Sequence, residues 1–572
     1  MSLPWHDLLM MKFNRFEWLA LLVAALARIA AHASLMQTRH ARHVLVDAHT
    51  YWSQAAAMVG GQDPFVDGFY QPPGYPLILS VIQSAFGDGL MAPRVIQQLC
   101  GLLTVVLLMR VGRRVGRRPW AGAVVGLLYG LYPPALMFEL DLLTPAWVGL
   151  AVAGIAYLLM DANSHRFAMA AGLAALSAAI HPSMLLVAFS VVGVAILQGA
   201  GVRGCVVALG LGLLPMTSAN VERFGVWQTG SNNAGINFYI GNNQDWKETT
   251  FIRAGLRFRQ LALEAEPHRR DSFERNDYWS SRTWSSIAAA PHRWLAAMGT
   301  RAVWSVNNVE IPRNEDHRCR TERGPLAWLA WMPVHYGWVW VLAVVALVAE
   351  PRTRRRWLPL WAGLHLPLIL FIVSDRYRLA SWPIVCLLAP LGLSALGRWW
   401  RSRDWRAALG VGLVGCIPML PIDARTEMDP AWCDHTEANL AVADGDMMTA
   451  RRLYERAVAA NPGDWSARRW LAIALMNEDR LPEAAEQVEA VLRDFPDSFP
   501  MLRLGAAIEE RRGRLDRAAE LMLRAYRVPG DRTATGVKVL KLWARLGERR
   551  QMRSLLAEDD ALARRWRRLS GD

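Results

Sequence analysis

An aspartate stands in the run Val46-Asp47-Ala48-His49-Thr50-Tyr51-Trp52, directly after the first long apolar stretch of the chain. A carboxylate placed where a chain leaves a bilayer can take a proton from a hydroxyl at the membrane surface. The plainer reading is a solvated loop acid. Far downstream, Asp375-Arg376-Tyr377-Arg378-Leu379 sets two guanidinium groups around a tyrosine. Arginine forks onto phosphate oxygens better than lysine does. Arg376 and Arg378 therefore read either as a phosphate site or as interfacial arginines whose heads are drawn to water. His40, His43 and His49 lie near Asp47, and imidazole with carboxylate suits zinc or manganese. Their spacing matches no firm metal motif, so no cofactor is expected and a divalent metal is the less favoured reading. The six cysteines show no paired spacing of zinc or redox type.

The elements that must position these groups are mostly apolar. A chain of 572 residues that is 53% hydrophobic and carries 26 tryptophans exceeds what one soluble core requires. Apolar runs of bilayer-crossing length recur at 17–36, 92–109, 120–134, 145–160, 168–181, 183–200, 204–220, 326–349, 357–373, 381–397 and 406–422, which predicts about eleven transmembrane helices. The first run is too long for a removable signal peptide and reads as an anchor. Arg110, Arg113, Arg114, Arg117 and Arg118 cluster between the second and third runs, Arg352 to Arg356 between the eighth and ninth, and Arg398, Arg401, Arg403 and Arg406 around the last connection. All three clusters fall on one side, which the inside-positive rule makes cytoplasmic. The N-terminus is then inside, and the loops 37–91 and 221–325 and everything after 422 are outside. The stretch 168–200 around His181-Pro182 is the ambiguous point, because losing one span there reverses the C-terminal side. The net charge of +14 sorts into these loops and a helical tail, so nucleic acid is not an expected partner.

From residue 423 the chain becomes amphipathic and repeats itself. Prolines fall at Pro462, Pro496 and Pro529, and Gly445, Asp479, Gly513 and Gly547 are each 34 apart, as are Ala450, Ala484 and Ala518. That period is the tetratricopeptide one. It predicts a solenoid of helical hairpins over 423–572, with Gly or Asp at the turns, Ala at helix contacts and Pro ending the second helix. Such a surface usually takes a peptide, a protein partner or a neighbouring domain.

The block Phe69-Tyr70-Gln71-Pro72-Pro73-Gly74-Tyr75-Pro76 together with Asp47 and Tyr51 resembles the first outer loop of the polytopic glycosyltransferases that take sugars from polyprenyl phosphates. These are the GT-C type, including protein O-mannosyltransferases and aminoarabinose transferases. Gly74 departs from that pattern, where a larger residue is common. Ser231-Asn232-Asn233-Ala234-Gly235-Ile236-Asn237-Phe238-Tyr239-Ile240-Gly241-Asn242-Asn243 looks like the Asn-Gly-rich segment opening the large loop in a bacterial branch that often carries tetratricopeptide repeats. It is also readable as a plain turn sequence. Val309-Glu310-Ile311-Pro312-Arg313-Asn314 resembles the block closing that loop, and Arg376-Tyr377-Arg378 the Arg-Tyr-Arg segment between late spans. The similarity covers about residues 15–400.

The resemblance implies an all-α polytopic membrane domain over 1–422 in a bacterial inner membrane, with an extracytoplasmic active site and the repeat domain outside. It implies a hexosyl- or pentosyltransferase that moves a sugar from a polyprenyl-phosphate donor to an acceptor hydroxyl on protein, lipid or glycan. Asp47 would be the catalytic base, with a second acid near the outer end of the third or fourth span, Asp141 or Glu139; Pro145 stands where relatives often carry an acid. Ionisable groups at membrane depth are functional by default. Arg376, Tyr377 and Arg378 would hold the donor phosphate, and His49, Tyr51, Tyr75, Asn237, Tyr239 and Asn242 would face substrate. The alternatives are a non-catalytic membrane scaffold whose repeats recruit envelope proteins, and a ligase or flippase for lipid-linked oligosaccharides.

Overall fold

The computed structural model describes residues 13–161, 163–253, 255–265, 272–322, 324–528 and 532–570. Among these residues the fold is all-helical, and it divides into two compact units, Met1–Phe251 with Asp271–Met428, and Ile252–Arg270 with Asp429–Asp572.

The first unit opens with helix α1 (Arg15–Leu35), which starts where Asn14 and Glu17 close a reciprocal capping box. It continues through α2 (Val46–Val59), α3 (Gly74–Phe86), α4 (Met91–Gly116), α5 (Ala121–Gly130), α6 (Pro133–Leu140), α7 (Pro145–Leu158), α8 (Ser164–Ser177), α9 (Met184–Leu197) and α10 (Arg203–Phe224). Then follow α11 (Ala234–Asn242), α12 (Ser272–Ala289), α13 (Pro291–Val306), α14 (Tyr336–Ala349), α15 (Pro351–Leu370) and α16 (Trp382–Ser402). The hub is α4, which packs on α1, α5, α7 and α16.

Glycines let these backbones approach. A Cβ on Gly130 would meet the Ala24 Cβ at 2.7 Å, one on Gly126 the Met109 side chain at 2.7 Å, and one on Gly392 the Leu342 carbonyl oxygen at 2.0 Å. Small residues at helix contacts replace the hydrophobic drive that lipid cannot supply. Deep in the bundle, Arg28 of α1 and Glu139 of α6 are 2% and 1% exposed and pair at 2.6 Å. A Cβ on Gly101 would stand 2.0 Å from Glu139 Oε1, so Gly101 makes the room for that carboxylate.

Five helical stretches are long and apolar enough to cross a membrane: Arg15–Leu35, Met91–Gly116, Arg203–Phe224, Ala327–Ala349 and Asp375–Ser402. A sixth is counted if α5 and α6, bent by 55° at Leu131-Tyr132, are one span. This is fewer than the eleven expected. The apolar runs at 145–160, 183–200 and 406–422 form helices of only 10–17 residues, and at 1.5 Å per residue a helix of that length falls short of a hydrocarbon core of about 30 Å. Apolar composition alone did not distinguish a helix of crossing length from a shorter one.

In the second unit, helices pair as Pro430–Ala443 with Met447–Ala460, Trp465–Asn477 with Leu481–Asp494, Phe499–Arg511 with Leu515–Arg527, and Arg532–Leu546 with Arg549–Glu558. Asp560–Ser570 closes the series. The 34-residue step lands on the turns: Gly445, Asp479, Gly513 and Gly547 all have left-handed backbone, with φ between +62° and +78°. Ala450, Ala484 and Ala518 are fully buried between helices. Of the proline landmarks, Pro529 with Gly530 and Asp531 lies outside the described residues. A stretch expected within the large outer loop also belongs here. Leu256–Leu263 packs on Trp465–Asn477, the Leu256 N–H donates to Ser466 Oγ at 2.8 Å, and the Arg253 guanidinium covers the Trp432 ring at 3.8 Å.

Gly392→Ala drives a methyl into the Leu342 carbonyl and should cost about 1–3 kcal/mol of stability. Gly397→Ala on the same helix meets open space and should leave the protein as stable or more so. Thermal unfolding of the two variants in detergent checks the pair, and equal melting points would contradict the close α14–α16 contact.

Candidate functional site

Asp47 occupies the first turn of α2, and the residue before it is strained: Val46 has φ +51°, a left-handed conformation that a β-branched residue rarely adopts. Asp47 Oδ2 accepts from Arg376 Nη1 at 2.6 Å and from Asn314 Nδ2 at 2.9 Å, and its side chain is 23% exposed. Among the described residues Oδ1 accepts no bond. Burial pushes the carboxyl upward, but Arg376, Asn314 and Arg313 together hold it below the usual carboxylate range, so it is ionised at neutral pH. Arg376 is fixed in turn by Tyr377, whose hydroxyl accepts from Nη2 at 2.9 Å and whose ring lies 4.9 Å from the guanidinium.

Asp141 follows the last residue of α6. Arg320 grips its carboxylate with both Nη atoms at 2.9–3.0 Å, and His317 Nε2 bonds Oδ2 at 2.9 Å. Burial raises this carboxyl too, and again the cations win, leaving it lowered. The reciprocal effect raises His317 above its usual 6.5 despite its burial. The other candidate acid, Glu139, belongs to the interior ion pair with Arg28 rather than to this cluster.

A small cavity is lined by Asp141 and by Asn314 and Arg376, the two side chains that hold Asp47, together with Arg94, Arg313, His317, Glu315 and Asp375. It sits where α1 and α6 end and where α4 and the Asp375–Ser402 stretch begin. Its wall is supported from behind. Tyr51, 6% exposed, meets Tyr75 edge-on at 5.1 Å, the Tyr75 hydroxyl donates to Gln97 Oε1 at 2.6 Å, and Gln97 Nε2 donates to the Asp141 carbonyl at 2.6 Å. Tyr51 and Tyr75 thus brace the site and do not line it.

The structure therefore brings Asp47, Arg376, Tyr377 and Asp141 to one place, with Tyr51 and Tyr75 behind them. It sets the remaining expected residues elsewhere. His49, two residues past Asp47 on α2, is exposed on another face of the helix. Arg378 is 1% exposed, bonded to the carbonyls of Asn307 at 2.6 Å and Val309 at 3.2 Å, paired with Glu310, and stacked 4.4 Å over Tyr336. The segment carrying Asn237, Tyr239 and Asn242 is helix α11, packed against α12, and none of the three lines the cavity. Asn242 is spent on structure: its amide donates to the Phe238 and Leu370 carbonyls and accepts from Trp294 and Arg301. His40 pairs with Glu315 at 3.0 Å, and among the described residues no three His, Cys, Asp or Glu side chains are arranged to hold a metal ion.

Sequence reasoning singled out the block ending in Asn314 without giving Asn314 a role, and it missed Glu315, His317 and Arg320. Their signal was the run Arg313-Asn314-Glu315-Asp316-His317-Arg318, dense in charge at the end of a long loop and directly before an apolar stretch.

Residues 435–499 and 477–532 match the tetratricopeptide repeat. The matches span 435–532 within the solenoid, and repeats of this kind commonly mediate protein–protein interaction. No curated protein matches the chain.

The Asp141–His317 pair predicts a pH window for stability. Asp141, lowered from 3.8, stabilises the fold above that value and loses its contribution as pH falls. His317, raised from 6.5, contributes fully below that value and loses it as pH rises through its folded pKa. Asp141→Asn should cost about 3 kcal/mol between these limits, with a smaller deficit at alkaline pH. Melting curves across pH decide it, and a deficit that does not shrink on the alkaline side would contradict the ionised pair.

Proposed function

We propose that the chain is an inverting membrane glycosyltransferase that moves a sugar from a polyprenyl-phosphate donor to an acceptor hydroxyl on the extracytoplasmic face. The observation that carries this reading is the Asp47 carboxylate: one oxygen is held by Arg376 and Asn314 and the other takes no bond among the described residues, beside a cavity lined with cations at the ends of apolar helices. Orientation is supported by charge. Arg113 and Arg114 close α4 and Arg401 closes α16, so the arginine-rich ends lie opposite the ends that carry Asp141 and Asp375. Arginine-rich ends face the cytoplasm, which leaves the cavity outside. The resemblance of the Asp47, Tyr75 and Arg376 blocks to the GT-C transferases names the donor class.

In this reading the acceptor oxygen attacks the anomeric carbon on the face opposite the phosphate. The acceptor O–C bond forms as the C–O bond to phosphate breaks, and the departing electron pair goes to the phosphate oxygen. The hydroxyl proton passes to Asp47 Oδ1. A salt-bridged aspartate is a weak base, but an oxocarbenium-like centre acidifies the attacking hydroxyl as the bond forms, so a weak base suffices. Arg376 orients Asp47 through Nη1 and, with Arg313, offsets the charge that gathers on the phosphate. Arg378, locked to Glu310 and two carbonyls, positions the segment that carries Arg376. The bilayer supplies the donor, and the solenoid offers a surface for a protein partner or acceptor.

Purified protein in lipid, given a panel of radiolabelled polyprenyl-phosphate sugars, should release or transfer sugar. Asp47→Asn at equal folded amounts should lose at least about 100-fold. Because Asp47 stays ionised well below neutrality, the wild-type rate should hold as pH falls from 7 and drop only in the acid range. No turnover across the panel would favour the non-catalytic scaffold or a ligase, and turnover unchanged in Asp47→Asn would remove Asp47 as the base.

A further inference from the structure

The ring of His317 is held on two sides. Nε2 pairs with Asp141 Oδ2 at 2.9 Å, Phe138 meets the ring edge-on at 4.4 Å, and the side chain is 12% exposed. Its Nδ1 is buried and has no hydrogen-bond partner among the described residues; the nearest carboxylate, Asp375 Oδ2, stands 4.0 Å away, beyond bonding reach. Arg376 Nε is likewise buried without a partner among the described residues; Arg28 Nε and Arg378 Nε are too, but of these three only Arg376 is in the cavity lining. Both side chains line the one cavity, and Asp375 lies between them, accepting the Arg376 backbone N–H on Oδ1 at 2.6 Å. Buried donors left alone are costly and call for a partner. The ionised carboxylate of Asp141 requires a proton on Nε2, so the second proton of the imidazolium makes Nδ1 an unused donor on a residue that lines the cavity. An imidazolium N–H and a guanidinium N–H on one small cavity match two oxygens of a tetrahedral anion.

We propose that His317 and Arg376 together form the seat of a lipid-borne phosphate, with the His317 Nδ1–H bonding one phosphate oxygen and serving as the acid for the departing group. This deepens the transferase reading and rests on it for the proton step, not for the binding. A glycosyl phosphodiester carries one negative charge. When its sugar–oxygen bond breaks, the electron pair stays with that oxygen, and the monoester formed has a second ionisation near pH 6. The Nδ1 proton passes to it, leaving His317 neutral on Nδ1 and still bonded to Asp141 through Nε2–H. The acceptor's proton, taken by Asp47, completes the balance. Around the ring stand Asp141, Asp375 and Arg320, and across the cavity Arg376 with the His40–Glu315 pair.

Full-length protein in nanodiscs is titrated with farnesyl methyl phosphate, a diester whose single charge does not change between pH 6 and 9. Wild type should bind more tightly as pH falls across that range. His317→Gln should bind about 10-fold or more weakly at the acid end and lose the pH dependence. The His317 Nδ1 resonance of wild type labelled with 15N-histidine should shift on binding, a readout that needs no variant. Equal affinity and pH dependence in the two proteins, or an unmoved Nδ1 resonance, would overturn the inference. Displacement of the diester by equimolar inorganic phosphate would overturn its lipid-borne part. Binding that depends on His317 with no glycosyl transfer would sink only the transferase reading, whereas transfer at the wild-type rate by His317→Gln would sink only the proton step.

Discussion

A carboxylate withdrawn from water needs a cation brought to it, and this constraint organises the first unit. Asp47 is answered by Arg376, Asp141 by Arg320 and His317, Glu139 by Arg28, Glu310 by Arg378 and Glu17 by Arg113. Each pair joins segments far apart in sequence, so each fixes tertiary geometry as well as charge. Breaking one leaves the survivor uncompensated in a low-dielectric setting, which is the costly direction. The pairs are not equivalent. Arg28 with Glu139 is closed off among helices, and Arg378 is consumed by a carboxylate, two carbonyls and a ring. The Asp47 and Asp141 pairs border a cavity.

What distinguishes those two pairs is that the groups they leave over stand at a cavity. Among the described residues Asp47 takes its bonds on Oδ2 alone, Arg376 keeps Nε and His317 keeps Nδ1. Interior pairs also leave atoms over, Arg28 Nε, Glu139 Oε2 and Arg378 Nε among them, but those side chains are not part of the cavity lining, whereas Arg376 and His317 are. Under the proposed transferase reading, Asp47, the Arg376 and His317 donors and the wall braced by Tyr51, Tyr75 and Gln97 would be preorganised, so little reorganisation would be needed at the moment of reaction. The strained Val46 directly precedes Asp47, whose partner Arg376 follows 329 residues later.

Much of the fold was legible where a local rule is strong. The 34-residue step named the turns of the solenoid because a left-handed turn admits few residues, and Gly445, Asp479, Gly513 and Gly547 take it. Helical character followed from apolar content, but helix length did not: the bend at Leu131-Tyr132 and the short helices at 145–158 and 184–197 depend on packing partners that composition does not reveal. In the site, Asp47 and Arg376 stood out by residue type. Arg378 carried the same signal with a different fate, since only tertiary structure tells an arginine that faces a cavity from one that faces Glu310. Asn242 misled for a similar reason, its amide being suited to a ligand and to four protein partners alike. His317 was hidden because the carboxylate that gives it meaning lies 176 residues earlier.

The arrangement is tested most directly by the structure of the full-length protein in a lipid nanodisc with a non-cleavable polyprenyl-phosphonate sugar. The phosphonate oxygens should lie within hydrogen-bond distance of Arg376 and His317, with the lipid chain leading out between helices and the sugar held so that a hydroxyl approaching its anomeric carbon passes Asp47 Oδ1. An analogue bound away from this cavity, or bound in it with the phosphonate remote from both cations, would contradict the assignment of Asp47 and its partners as the reactive centre.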